Sequence, residues 1–86
     1  MIRYLVTIKR NNITVANDVM IDAADLKDAQ RRSEQLYGLV TQRDVKDITE
    51  SDSILISPAD VEDNTFSCYT LYSLTSDEPH WFTTEI

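Results

Sequence analysis

The first 21 residues alternate apolar and polar positions with a period of two, which is typical of β-strands. The apolar positions are Ile2, Tyr4, Val6 and Ile8 in the first run and Ile13, Val15, Val19 and Ile21 in the second. The "RNN" between the runs suits a tight turn, since Asn tolerates the left-handed conformation. Asn17 interrupts the second apolar face, which indicates a β-bulge near Asn17–Asp18. The pattern predicts an antiparallel hairpin over residues 2–21.

The pattern then changes to spacings of three and four in "DAADLKDAQRRSEQLYG", which predicts an amphipathic helix. Asp22 is the expected N-cap, and Gly38 is expected to end the helix at positive φ. Asp28 and Arg32 lie one turn apart and can form an ion pair. The expected core-facing stripe is Leu26, Ala29, Ser33, Leu36 and Tyr37.

The next segment, "LVTQRDVKDITES", carries both kinds of signal. Val45 and Ile48 have helical spacing, and Thr41 with Asp44 can open a helix. The content of Val, Ile and Thr is equally typical of a strand. We favour a strand over residues 41–50 and keep the helix as the alternative.

Three short runs in the remaining sequence predict strands: "SILIS", "TFSCYTLYSL" and "HWFTTEI". Between the first two, "SPADVEDN" predicts a helical turn with Ser57 as cap and Pro58 at the first helical position. "TSDEP" predicts a turn. The whole chain, residues 1–86, is therefore expected to be a single α+β domain. We predict an antiparallel sheet of about five strands with one main helix packed on one face.

The residue counts exclude several kinds of chemistry. One cysteine, one histidine and one glycine leave no internal disulfide, no thiolate or multi-histidine metal site and no glycine-rich phosphate loop. Cys68 and His80 have the side chains of a nucleophile and a base, but a thiol among apolar strand residues is inert. We expect no enzymatic activity, no metal and no cofactor. Without a signal peptide or an apolar run of about 20 residues, we expect a cytoplasmic protein.

Charge is distributed unevenly along the chain. Residues 1–43 contain seven bases and five acids, whereas residues 44–86 contain ten acids and only one base, Lys46. Such a surface repels nucleic acid and anionic membranes and attracts a basic partner. Carboxylates at strand spacing, about 6.6 Å apart on one face, can imitate the phosphates of DNA. The alternative is an acidic surface that serves only solubility.

Two resemblances to families of phage inhibitors agree with this interpretation. "YLVTIK", "ITVANDVMI", "AADLKDAQRRSEQLYG" and "RDVKDITE" are similar in layout to the strand–strand–helix–strand core of the phage inhibitor of bacterial RNA polymerase. "SILISPADVED" and "LTSDEPHW" resemble two stretches of the phage uracil-DNA glycosylase inhibitor, in the same order. The second resemblance implies that Asp52, Ser53 and Ile54 form a strand that enters the enzyme's DNA cleft. The intervening segment is far shorter here, and the N-terminal half has no counterpart in that family.

The sequence thus predicts a non-catalytic inhibitor that docks an acidic face on a basic, nucleic-acid-binding protein or enzyme, in the host cytoplasm if phage-encoded. The expected charged contacts are Asp44, Asp47, Glu50, Asp52, Asp60, Glu62 and Asp63. The expected apolar anchor is Ile54, Leu55 or Trp81. "SILIS" is either a central strand buried on both faces or an edge strand that offers this anchor. The alternative function is a structural module that acts through homodimerisation.

Overall fold

The computed structural model describes residues 1–59, 65–70 and 80–85, and these form one α+β unit. The strands are β1 (Ile2–Arg10), β2 (Ile13–Ala23), β3 (Ser53–Pro58), β4 (Thr65–Thr70) and β5 (His80–Glu85), and the helix is α1 (Leu26–Thr41). All neighbouring strands are antiparallel, in the order β2-β1-β3-β4-β5. The predicted fold class is confirmed.

The N-terminal hairpin forms where the alternation predicts it. Asn11 and Asn12 have φ of 54° and 64°, the left-handed pair that a two-residue hairpin turn requires. The bulge is confirmed, because the pairing shifts between Val6 and Ile8 and Asp18 has φ of 51°. A second shift follows between Ile8 and Lys9. Ile13 and Val15, which the alternation places on one face with Val19 and Ile21, are both exposed, and Ile13 pairs with Arg10 at the end of the hairpin.

Helix α1 presents the predicted stripe to the sheet, but both of its ends differ from the prediction. Asp25, not Asp22, is the N-cap, and its carboxylate accepts a hydrogen bond from Asp28 N at 2.8 Å. The helix continues through Gly38 to Thr41, and Gln42 takes the left-handed conformation with φ of 59°. Gln42 N donates to Gly38 O at 2.8 Å, which closes the last turn.

The segment after α1 is neither the predicted strand nor a full helix. Residues Val45–Asp47 form a 3₁₀ turn capped by Asp44, whose side chain accepts from Lys46 N. Ile48 is buried in the core and Val45 packs against it. The three-residue spacing of Val45 and Ile48 therefore corresponds to one 3₁₀ turn and not to a longer helix. No strand interrupts residues 42–52, and β1 pairs directly with β3.

The predicted helical turn at "SPADVEDN" is wrong at its start, since Ser57 and Pro58 belong to β3. Residues 60–64 and 71–79 lie outside the described residues, and with them the rest of that turn, the end of the "TFSCYTLYSL" run and the "TSDEP" turn. The core of "TFSCYTLYSL" and the "HWFTTEI" run are confirmed as β4 and β5.

The sheet has two different sides. On the helix side, α1 and Ile48 cover a core of buried side chains. That core comprises Tyr4, Val6, Ile8, Ala23, Ala29, Tyr37, Ile48, Ile54, Ile56 and Tyr69. The opposite side, which we call the open face, carries the alternate positions of the same strands. Leu5, Thr7, Leu55 and Cys68 lie there.

Candidate functional site

Asp52, an expected partner contact, is instead an interior hydrogen-bond acceptor. Its side chain is fully buried and accepts from Asn11 N at 2.9 Å and from the Tyr37 hydroxyl at 2.8 Å. Arg43 Nη1 lies 3.7 Å from Oδ2, the oxygen that also accepts from Tyr37, close enough for an ion pair. Burial alone would raise the pKa of Asp52, but the hydrogen bonds from Asn11, Tyr37 and Thr49 together outweigh it and lower the pKa. Asp52 therefore ties the hairpin turn to α1 and presents no charge to a partner.

The rest of the expected probing strand is divided between the two sides of the sheet. β3 is the central strand, so the edge-strand interpretation of "SILIS" is wrong. Ile54 is fully buried under α1 and cannot serve as an exposed anchor. Ser53 is half-buried beside Lys9. Leu55 lies on the open face and is 38% exposed, so burial of β3 is complete on the helix side only.

Three of the expected acidic contacts are exposed on the segment between α1 and β3. Asp44, Asp47 and Glu50 all face solvent. Lys46 Nζ lies 3.8 Å from Asp44, in a pair that is mostly exposed and weak. Asp60, Glu62 and Asp63 lie outside the described residues.

Trp81 lies on the helix side of β5, where it is half-buried next to Tyr69 of β4. The two ring centroids are 5.1 Å apart at an angle of 56°. Burial, and then the negative charges of Glu34 and Asp44, raise the pKa of Tyr69. The negative charges of these two carboxylates thus reach Tyr69, one from α1 and one from the segment that follows it. We call Glu34, Asp44, Tyr69 and Trp81 the aromatic–acidic cluster.

Sequence analysis missed Glu34 because its position on α1 carries no signal of its own. The placement follows from how α1 crosses the sheet, with Gln30 Nε2 donating to Ser67 Oγ on β4 at 2.9 Å. Glu34 lies one turn beyond Gln30 on the same flank of the helix. Its charge reaches Tyr69 only because α1 docks on the sheet.

Positive charges of the first half of the chain are mostly paired internally. Arg31 and Arg32 both bind Asp28, at 2.6 and 3.0 Å, and Arg3 binds Asp22 at 3.1 Å. Residues 1–59 contain nine acids and eight bases, whereas residues 60–86 contain six acids and no base. The unbalanced charge of the molecule therefore belongs almost entirely to the part of the chain after β3.

Other chemistry is limited among the described residues. Cys68 is half-buried on the open face, and burial raises the pKa of its thiol, which keeps it protonated at neutral pH. Within residues 1–59, 65–70 and 80–85, no three His, Cys, Asp or Glu side chains come together to hold a metal ion. No helix in that part of the chain has the length and apolar character needed to cross a bilayer.

Comparison with models of protein families, with curated proteins and with solved structures found no match to this chain. The class that the fold defines is α+β, a five-stranded antiparallel sheet with one helix on one side.

Proposed function

We propose that the protein is a non-catalytic inhibitor that binds a basic, nucleic-acid-binding surface of a target enzyme through the aromatic–acidic cluster. The observation that carries the proposal is that the negative charges of Glu34 and Asp44 reach Tyr69, which packs against the half-buried Trp81. An aromatic face flanked by carboxylates suits a guanidinium or ammonium group, which stacks on the ring while it pairs with the acids.

The charge distribution supports a basic partner of this kind. The net charge is −7, and Asp47 and Glu50 are exposed on the same segment as Asp44. A basic protein would approach this surface under long-range attraction, whereas nucleic acid would be repelled. Nucleic-acid-binding enzymes present clustered Lys and Arg, and an acidic protein seated there excludes their substrate.

The proposal also revises which side chains are expected to make contact. Asp52 and Ile54 are withdrawn because they are buried, and Glu34 is added. Trp81 remains the expected anchor on the helix side. Asp60, Glu62 and Asp63 remain expected contributors on sequence grounds, and reversing all three charges is expected to abolish inhibition while the fold is retained.

Affinity capture followed by a displacement assay tests this function. The protein is immobilised, a bacterial lysate is applied at low salt, and retained proteins are eluted with salt. We expect the eluted fraction to contain a nucleic-acid-binding protein. The free inhibitor should displace that protein from labelled duplex DNA, and the fluorescence anisotropy of the DNA measures the displacement. The double variant Glu34→Gln/Asp44→Asn should displace it about tenfold less well, since two charged contacts are lost.

The matched control is Asp18→Asn/Asp22→Asn, which gives the same net charge but changes the β1–β2 end of the molecule. We expect this control to inhibit like the parent protein. Equal loss in the two double variants would show that net charge alone acts and that the cluster is not the site. Failure to retain any nucleic-acid-binding protein would overturn the proposed function itself.

A further inference from the structure

The open face carries a continuous apolar patch across the middle of the sheet. The β-ladder places Thr7, Leu55, Cys68 and Phe82 in one row, and Met20 beside Leu5 in the next. Met20 is 57% exposed, Leu55 38% and Phe82 40%. We call Leu5, Met20, Leu55, Phe66, Cys68 and Phe82 the open-face patch. A contiguous patch of this kind on a small soluble domain marks an interaction surface.

Within the described residues, the charged groups on the β1–β2 part of the open face are balanced. Arg3 and Asp22 form an ion pair at one end of the β1–β2 hairpin. Lys9 and Asp18 lie towards the other end, and Asp18 N donates to Thr7 Oγ1 at 3.1 Å. Two copies with a net charge of −7 repel each other, so they can approach only through a surface that adds no repulsion. The β1–β2 part of the open face meets that condition.

The size of the open face also suits a pair of identical molecules. Five strands about 4.8 Å apart, with about six residues each at about 3.3 Å, cover roughly 24 by 20 Å. If both faces were treated as flat, a pair would bury about 1,000 Å² in total, which is at the lower limit for a specific interface. Projecting side chains make the true buried area larger. Sheets commonly pack face to face at about 10 Å separation.

We propose that two copies of this chain associate through their open faces, with the two-fold axis near Leu55 on the central strand. Interfaces of homodimers are isologous, so each patch packs against its own equivalent. The aromatic–acidic cluster lies on the helix side and stays accessible in the dimer. The inference does not depend on the proposed inhibitor function, and either can fail without the other.

Sedimentation equilibrium on the full chain tests the association. We expect a monomer–dimer equilibrium with a dissociation constant in the range of about 1–100 µM, given the modest area. Leu55→Lys should weaken association by at least about tenfold, because it places a charge at the centre of the interface. Leu39→Lys is the matched control: Leu39 is 79% exposed on α1, and the change in charge is the same.

Both variants make the chain less acidic, so general repulsion between copies decreases in each. Dimerisation lost in Leu55→Lys but kept in Leu39→Lys therefore identifies the open face. Met20→Lys, at a more exposed position on the edge strand β2, provides a second variant if Leu55→Lys does not fold. A monomer at all concentrations up to about 1 mM would overturn the proposal, since that concentration is about tenfold above the weakest dissociation constant expected.

Cys68 reports where the interface lies, because it is the only cysteine and it belongs to the patch. Its reaction rate with a thiol reagent such as DTNB is measured at rising protein concentration. We expect the rate to fall in parallel with dimer formation. A dimer with an unchanged rate would place the interface elsewhere and refute the face-to-face arrangement.

Discussion

At the scale of single residues, Asp52 shows how a carboxylate can be structural although its sequence context is acidic. Its two hydrogen-bond donors, Asn11 and Tyr37, are 41 and 15 positions away in sequence. The single carboxylate thus connects the β1–β2 turn with α1, and Arg43 supplies the opposite charge. Local sequence could not predict this role, because the donors meet Asp52 only after the hairpin and the helix have docked.

Replacement of Asp52 by Ala is expected to lower the free energy of unfolding by about 2–4 kcal/mol, because buried donors of Asn11 and Tyr37 lose their acceptor. Urea denaturation measures the change. Asp47→Ala is the control, since Asp47 is exposed and its removal should change stability by at most about 0.5 kcal/mol. Equal effects of the two substitutions would contradict the structural role of Asp52.

The same prediction extends to pH. The pKa of Asp52 is lowered in the folded protein, so its contribution to stability is complete above the unfolded pKa of about 3.9. That contribution is lost as pH falls through the folded value, because the unfolded chain takes up the proton first. The stability gap between the parent protein and Asp52→Ala should therefore narrow below about pH 4. The pKa of Asp28 is also lowered, first by the hydrogen bond from Ala24 N and then by those from Arg32 and Arg31. The parent protein and Asp52→Ala should therefore both lose some stability in acid. A gap that is constant with pH would show that the pKa of Asp52 is the same in the folded and unfolded states, which would contradict this prediction.

At the scale of secondary structure, repeated patterns were predictable and the ends of elements were less so. The hairpin followed from the alternation and the two asparagines, and α1 followed from its stripe. The N-cap was predicted at the wrong residue because Asp22 and Asp25 carry the same side chain three residues apart. Only the carboxylate of Asp25 accepts a hydrogen bond from the backbone N–H of Asp28. Gly38 suggested a helix end, yet Thr41 completes a further turn by packing into the core, where its hydroxyl donates to Tyr37 O at 2.7 Å.

The position of the glycine at the end of α1 gives a test with two variants. Gly38 lies inside the helix at negative φ, and an added Cβ would meet Arg43 O at an ordinary 3.6 Å. Gly38→Ala should therefore stabilise the protein by about 0.5–1 kcal/mol, since Ala loses less conformational entropy. Gln42 occupies the left-handed position, so Gln42→Gly should also stabilise, by about 1 kcal/mol. Thermal unfolding measures both changes, with Gln42→Ala as the control that keeps the steric penalty. Destabilisation by Gly38→Ala would instead support a helix that ends at Gly38.

At the scale of the whole molecule, the sheet separates two surfaces of opposite character. The helix side carries the aromatic–acidic cluster, and the open face carries exposed apolar side chains of β2, β3 and β5. Sequence analysis identified the acidic excess and the candidates Asp44, Leu55 and Trp81. The side of the sheet on which each residue lies was not predictable, because it depends on where α1 packs. Asp44 and Trp81 lie on the helix side, and Leu55 lies on the open face.

The two surfaces should respond to salt in opposite directions. Salt shortens the range of electrostatic forces to about 10 Å at 0.1 M and about 3 Å at 1 M. Binding of an oligoarginine peptide to the cluster should therefore weaken as NaCl rises, while self-association should be unchanged or strengthened, because repulsion between two chains of charge −7 is screened. Titration calorimetry with the peptide and sedimentation of the protein alone measure the two responses. Glu34→Gln/Asp44→Asn should weaken only peptide binding, and Leu55→Lys should weaken only self-association. If either variant impaired both peptide binding and self-association, the two surfaces would not be independent. If self-association weakened as salt rose, ion pairs rather than the open-face patch would hold the two copies together.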